Sequence, residues 1–270
     1  MTTLAAARPS SRALLNRVPE ITIYFWIIKV LATTVGETAA DLTSSHFGFS
    51  LGTTTLIMSC ILAPALVYQF SLRRYLPGPY WLAVVLISIV GTLITDNLSD
   101  GYGVSLWVAT GVFSVALAAT FATWFWHERT LSIHKVWTSR REAFYWLAIL
   151  FTFAFGTAAG DYLAETLDLG YLKSALLFGG AIAAITFAWR HLRLNSILAF
   201  WLAYILTRPL GASLGDYLSQ PKADGGLGLG TNTTTLLFLA AILVVVVYLT
   251  ISKRDQAPKV DLPVASEFTP

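Results

Sequence analysis

The stretch Trp26–Asp41, WIIKVLATTVGETAAD, decides how the rest of the chain is read, because its frame of Trp, nine residues, Gly, four residues, Asp recurs three more times. The further copies are Trp81, Gly91, Asp96; Trp146, Gly156, Asp161; and Trp201, Gly211, Asp216, offset by 55, 65 and 55 residues. Two spacings held through four copies make the chain a fourfold internal repeat.

Composition says where the repeats live. With 56% hydrophobic and 12% charged residues and a mean hydropathy of +0.65, the chain is far from the soluble average and reads as an all-α integral membrane protein. A helix needs about 20 apolar residues to cross the hydrocarbon core. Such stretches lie near 20–42, 50–70, 80–98, 104–126, 143–163, 170–189, 196–217 and 229–251, which predicts eight transmembrane helices, two per repeat. The repeats fall at about 20–74, 75–128, 142–193 and 195–252 inside one transmembrane domain, 19–252. Residues 127–141 form a charged loop between the two halves, Pro77-Gly78-Pro79 is a break before the third helix, and 1–18 and 253–270 are polar tails expected to be mobile.

The residues before the first helix carry Arg8, Arg12 and Arg17 with no small-residue cleavage site after a short apolar core, so that helix is expected to be an uncleaved anchor. Fourteen Lys and Arg residues fall on the side of the termini and only Lys173 and Lys222 on the other. The positive-inside rule then predicts a multi-pass protein of the cytoplasmic (inner) membrane with both termini and the basic loops in the cytoplasm. The sequence pI of about 9.0 is thus an orientation signal, and a nucleic-acid partner is excluded; the partner expected is the lipid bilayer, and a homo-oligomer is compatible with the pattern. A single Cys60 leaves no disulfide framework and no cysteine metal cluster.

Within each repeat the Trp, flanked by other aromatics, is expected in the interfacial aromatic belt, and Gly36, Gly91, Gly156 and Gly211 are expected to let helices pack closely. The aspartates are the informative position. Asp41, Asp96, Asp161 and Asp216 rise about 22 Å from their Trp at 1.5 Å per residue, within or at the edge of the far leaflet. An ionisable residue there is costly and by default functional, although each could instead cap a short re-entrant turn or bond to a neighbouring repeat. Glu37 lies one turn before Asp41, and Asp100 and Glu165 stand four residues after Asp96 and Asp161. With Asp168 and Asp224, nine of the fifteen acids gather on the side that has two basic residues, a funnel that attracts cations.

Hydroxyls open the second and eighth helices, and Thr53, Thr54 and Thr234 are candidate oxygen ligands unless they bond back to their own helix. His46 is either a solvated loop residue or a nitrogen donor. Two basic residues sit within odd helices. Arg208, about 12 Å along the helix from Asp216, reads as a counter-ion to the acids. Lys29 reads either as a second counter-ion or as a side chain snorkelling to the interface.

The strings Lys29–Asp41 (KVLATTVGETAAD) and Thr207–Leu218 (TRPLGASLGDYL), within a match over about residues 20–252, resemble a bacterial family of uncharacterised membrane proteins built of four tandem repeats, each with two transmembrane segments and a tryptophan. The resemblance implies the architecture and no activity. From the residue chemistry, the expectation is a non-enzymatic secondary transporter without cofactor, moving a small divalent cation with Mn²⁺ the first choice, since carboxylates and hydroxyls without Cys or His suit hard cations. Closely spaced carboxylates make proton exchange the expected coupling. Three alternatives stand beside it: an organic-cation/proton transporter using Tyr102, Trp107, Tyr162, Tyr171 and Tyr217 for cation–π contacts, a non-catalytic membrane scaffold, and an intramembrane aspartyl protease built on Gly160-Asp161 and Gly215-Asp216.

Overall fold

Each odd helix carries the Trp, Gly and Asp of its repeat, and burial sorts the odd and even helices into two shells. A computed structural model describes residues 16–46 and 49–256. Eight long helices occur among them: α1 (Ile23–His46), α2 (Leu51–Ser71), α3 (Pro77–Asp96), α4 (Leu106–Glu128), α5 (Ser139–Asp161), α6 (Tyr171–His191), α7 (Ser196–Ser219) and α8 (Thr231–Ser252). All eight are long and apolar enough to cross a membrane. In the odd helices 61–67% of the span is buried within the protein, in the even ones 11–22%, so the odd helices form the inner shell and the even helices face lipid. The side chain of His46 and most of both tails lie outside the described residues.

The inner shell is a closed ring in which α1 packs on α3, α3 on α5, α5 on α7, and α7 back on α1. Each even helix leaves its own repeat and packs on the odd helix of the next, α2 on α3, α4 on α5, α6 on α7 and α8 on α1. The repeat glycines show why the ring closes. Gly36 faces Ser88, Gly91 faces Phe153, Gly156 faces Arg208, and Gly211 faces Thr33, so that a Cβ at any of them would stand 2.5–2.6 Å from the Cβ of a residue in the following repeat. Lipid tails are as apolar as leucine, so helix association in a bilayer rests on such close approach more than on hydrophobicity.

Local signals start several helices. Ser50 accepts a hydrogen bond from the Thr53 amide, Thr138 from that of Arg141, and Asn195 from those of Ile197 and Leu198, each satisfying an orphan donor. Pro77, expected to break the chain, instead begins α3, where its fixed φ and missing N–H cost nothing.

Counted from the repeat Trp, rows of buried residues fill the ring at intervals of one turn. Phe25, Tyr80, Tyr145 and Phe200 come first, then Lys29, Val84, Ile149 and Tyr204, then Thr33, Ser88, Phe153 and Arg208, then Glu37, Thr92, Thr157 and Ala212. The tryptophans do not form the expected interfacial belt. Trp81, Trp146 and Trp201 are buried in the core and only Trp26 is half-buried, because their rings turn inward onto the first row, as in Trp81 on Phe25 at 5.6 Å and Trp146 on Tyr80 at 5.5 Å between centroids.

The same end is strapped by residues 16–20 and by Asp255, so the described parts of the tails are packed. The Arg17 amide donates to Val136 O (3.0 Å), the Tyr75 amide to Asn16 O (3.0 Å) and the Glu20 amide to Asp255 O (2.9 Å). Arg17 pairs with buried Glu142 at 2.5 Å, whose other oxygen accepts from Gln69 Nε2 (3.2 Å) and Trp146 Nε1 (3.3 Å). Tyr75 donates its hydroxyl to Asp255 Oδ2 at 2.5 Å. Burial pushes both of these groups up, the Asp255 carboxyl less so because the Tyr75 hydrogen bond opposes it.

Candidate functional site

Opposite the strapped end the ring opens. The α-helical path of α3 and α5 runs on into single π-helical turns, Asn97–Gly101 and Tyr162–Thr166, which swing Asp100 and Glu165 to the mouth of a cavity of about 150 Å³. The lining is Glu37, Asp41, Leu51, Asp96, Ser99, Asp100, Leu106, Asp161, Glu165, Asp216 and Gln220. Seven of these eleven are carboxylates, so all four repeat aspartates and the three acids near them in sequence do meet in one space. Exposure falls inward: Asp100 and Glu165 are exposed, Asp41, Asp96 and Asp161 half-buried, Asp216 and Glu37 buried. Within the cavity Glu37, Asp161 and Asp216 each offer an oxygen within 4.8 Å of the others. Oxygens that close can share one ion at the roughly 2.0–2.6 Å typical of hard cations.

Beneath this triad lies Arg208, fully buried. It was expected as a counter-ion to the acids, eight residues before Asp216 on its own helix. Among those acids the structure pairs it with Glu37 of the first repeat, Nη2 to Oε2 at 2.7 Å, where α7 closes the ring on α1. The same nitrogen donates to the hydroxyls of Thr92 and of Thr157 (2.6 Å to the latter), and Nη1 donates to Thr33 O at 3.0 Å. Glu37, Thr92 and Thr157 occupy the same place, eleven residues after Trp, in three repeats. Aligning that position is the signal that would have found the two threonines. Ser99 and Gln220 were also missed, and nothing in their spacing marks them.

The hydroxyls expected as ligands lie elsewhere. Thr53 bonds to Ser50 Oγ at 3.0 Å, Thr234 bonds back to Gly230 O at 2.9 Å, and buried Thr54 is without a partner; none lines the cavity. They start even helices, which sit in the outer shell, and back-bonding uses the hydroxyl locally. Lys29 neither snorkels nor joins an ion pair among the described residues. It is fully buried, its Nζ 4.0 Å from the centroid of Phe153 and 4.2 Å from that of Tyr204. Tyr102 and Trp107 are exposed, and none of the five aromatics considered for cation–π contacts lines the cavity. Asp168 and Asp224 also lie outside it.

Fold and site together define a class: an eight-span, four-repeat helical membrane protein whose repeats close into a ring around a carboxylate-lined cavity. The chain belongs to the family described as Repeat of Unknown Function (DUF347), whose model matches residues 24–75, 79–130, 144–194 and 199–255, one segment per repeat. Neither the search of curated proteins nor that of solved structures returned a match.

Proposed function

We propose that this protein is a secondary transporter of a small divalent cation, Mn²⁺ first, coupled to protons through the cavity carboxylates. The observation that carries the reading is the Glu37–Asp161–Asp216 triad, three oxygens within 4.8 Å, above a single guanidinium. Ionised, the three acids bring charge −3 against the +1 of Arg208, and four further carboxylates line the same cavity, so the site carries an excess of negative charge for a cation to offset. Desolvated like charges are relieved either by that cation or by shared protons, so metal and proton compete for the same oxygens. Mn²⁺ suits an all-oxygen donor set better than Zn²⁺ or Cu²⁺, which favour nitrogen and sulfur. The organic-cation alternative loses ground because the cavity lining contains no aromatic ring. The reading places the protein in the cytoplasmic membrane with the strapped, basic end in the cytoplasm, and one chain supplies the whole ring.

The test is Mn²⁺ uptake and proton release in proteoliposomes, comparing wild type with Asp216→Asn and Glu37→Gln. Saturable, metal-dependent proton movement that drops by about a hundredfold in Asp216→Asn, in line with losing a group that handles protons directly, is the expected result. Folded wild-type protein that neither binds nor moves Mn²⁺, Mg²⁺ or Ca²⁺ would sink the proposal and leave the scaffold reading, in which Asp216→Asn alters only stability.

A further inference from the structure

Between the cavity and the strapped end, the buried rows hold an amine that the carboxylate site does not use. Lys29 lies in the row below Arg208, and its Nζ has no hydrogen-bond partner among the described residues. It sits on the ring faces of Phe153 and Tyr204. A ring face attracts an ammonium, and a neutral amine in the same place leaves no charge uncompensated, so the pocket tolerates either state. The Phe153 ring that lies 4.0 Å from Lys29 is also 5.7 Å from the Arg208 guanidinium carbon, which puts the two cationic heads less than about 10 Å apart.

From Lys29 a line of tyrosine hydroxyls leads away from the cavity. The Tyr204 ring holds the amine on its face; its hydroxyl makes no hydrogen bond among the described residues, and Tyr204 and Tyr145 both pack on Trp201, at 5.6 and 6.3 Å between ring centroids. The Tyr145 and Tyr80 hydroxyls are hydrogen-bonded to each other. The Tyr80 ring packs on Tyr75 at 5.4 Å between centroids, and Tyr75 donates to Asp255 at 2.5 Å, where the C-terminal segment reaches the strap. Packing alone does not call for these hydroxyls. The quasi-equivalent positions to Tyr80 and Tyr145 are Phe25 and Phe200, equally buried without them, so the hydroxyls mark one side of the ring and one route.

We infer that Lys29 is a second proton-carrying group of the transport cycle, acting together with the cavity carboxylates and loaded and unloaded from the strapped end through Tyr204, Tyr145, Tyr80, Tyr75 and Asp255. The inference rests on the transport reading and names its proton route. In unloading, the Lys29 ammonium gives a proton to Tyr204 as each hydroxyl passes its own proton to the next, ending on the Asp255 carboxylate. Lys29 is then a neutral amine, Asp255 a carboxylic acid, every tyrosine is restored, and no electrons move. Loading is the reverse. The Lys29–Tyr204, Tyr204–Tyr145 and Tyr80–Tyr75 links form by rotation of side chains that pack on one another or on the shared Trp201 ring. Coupling to the metal is electrostatic: a proton on Lys29 adds positive charge behind Arg208 and repels the cation from the triad, and its loss readmits the cation. The titratable neighbours that share this field are Tyr204 and Arg208 of α7, Tyr145 of α5 and Tyr80 of α3.

The experiment uses the full chain in proteoliposomes with Mn²⁺ as the probe, recording Mn²⁺ binding, Mn²⁺ flux and proton movement separately for wild type, Lys29→Met and Tyr145→Phe. The expected result is Mn²⁺ binding retained in both variants with Mn²⁺-dependent proton movement slowed by about a hundredfold. Tyr145→Phe removes one oxygen from a position where phenylalanine is already used in other repeats, so it stays informative if Lys29→Met fails to fold. Retained proton coupling in Tyr145→Phe and in folded Lys29→Met overturns the proton route and leaves the transporter standing. A wild type that neither binds nor moves Mn²⁺ overturns both, and the binding record tells the two failures apart.

Discussion

The two ends of the ring are built from quasi-equivalent positions of the same four repeats, yet one is open and the other shut. At the open end the repeat position is Asp in all four copies, and mutual repulsion among carboxylates together with two π-helical turns holds the helices apart around water-accessible space. At the shut end it is aromatic in all four copies, and flat rings can fill the centre without leaving a void. Symmetry therefore builds the walls. What the walls do is set by residues that occur once: Lys29 and Glu37 in the first repeat, Arg208 in the fourth, which are neighbours because the ring closes.

The largest expected effect comes from breaking the single ion pair at the floor of the open end. Arg208→Met strands Glu37 without its cation and removes partners from Thr92 and Thr157, and losing one member of a buried pair costs about 3–5 kcal/mol. Unfolding in detergent should show that loss. The double variant Arg208→Met/Glu37→Gln should recover most of it, because no buried charge is then left alone. A double variant as unstable as the single one would mean the guanidinium acts by packing.

At the shut end the matching disruption is Glu142→Ala, which removes the charge partner of Arg17 and the acceptor of Gln69 Nε2 and Trp146 Nε1, leaving Arg17 its bond to Ser139 Oγ. Arg17 keeps 12% of its side chain exposed and can regain water, so the cost should be smaller, about 2–3 kcal/mol. Limited proteolysis should then find the N-terminal segment, protected in wild type, newly cleavable.

Between the ends, the glycines separate structural demand from helix propensity. Gly36→Ala sets a methyl 2.6 Å from Ser88 Cβ, against the backbone of α3, and overpacking should cost about 1–3 kcal/mol. Gly111, within α4 and with open space where its Cβ would be, should behave oppositely: Gly111→Ala gains about 0.5–1 kcal/mol of helix propensity. Equal effects in unfolding experiments would mean that the ring does not close as described.

The repeat, the eight spans and the convergence of the acids were legible because each is written as a spacing that survives translation along a helix. Arg208's partner was not, since the fourth repeat lies far from the first in sequence and meets it only on closure. Thr53, Thr54 and Thr234 misled for a related reason: hydroxyls at helix starts look like ligands, but the first residues of α2 and α4, Leu51 and Leu106, are the ones that reach the cavity, and which residue of a helix start faces the centre is a tertiary fact. The inward turn of Trp81, Trp146 and Trp201 was hidden because an aromatic near a helix end satisfies a belt and a plug equally. Arg17 and Asp255 sat in tails whose polarity says nothing about the groove that receives them.

The smallest effect should separate the ends by pH. Glu20 and His134 meet at 3.4 Å on the shut end, with 36% and 50% of their side chains exposed. The hydrogen bond with Glu20 raises the His134 pKa above its ordinary 6.5, and the same bond lowers that of Glu20 below 4.5. A raised histidine adds stability that is full below its unfolded value and is lost as pH rises through the folded one; a lowered carboxylate adds stability above its unfolded value and loses it as pH falls through the folded one. The pair therefore contributes between about pH 4.5 and 6.5 and fades on either side. So exposed, it is screened to less than about 0.5 kcal/mol. Unfolding of wild type against His134→Asn should differ slightly at about pH 5.5, and the difference should vanish by about pH 8.5 and in molar salt. A difference that persists at pH 8.5 would assign His134 a packing role in the strap and leave the shut end held by Arg17 and Glu142.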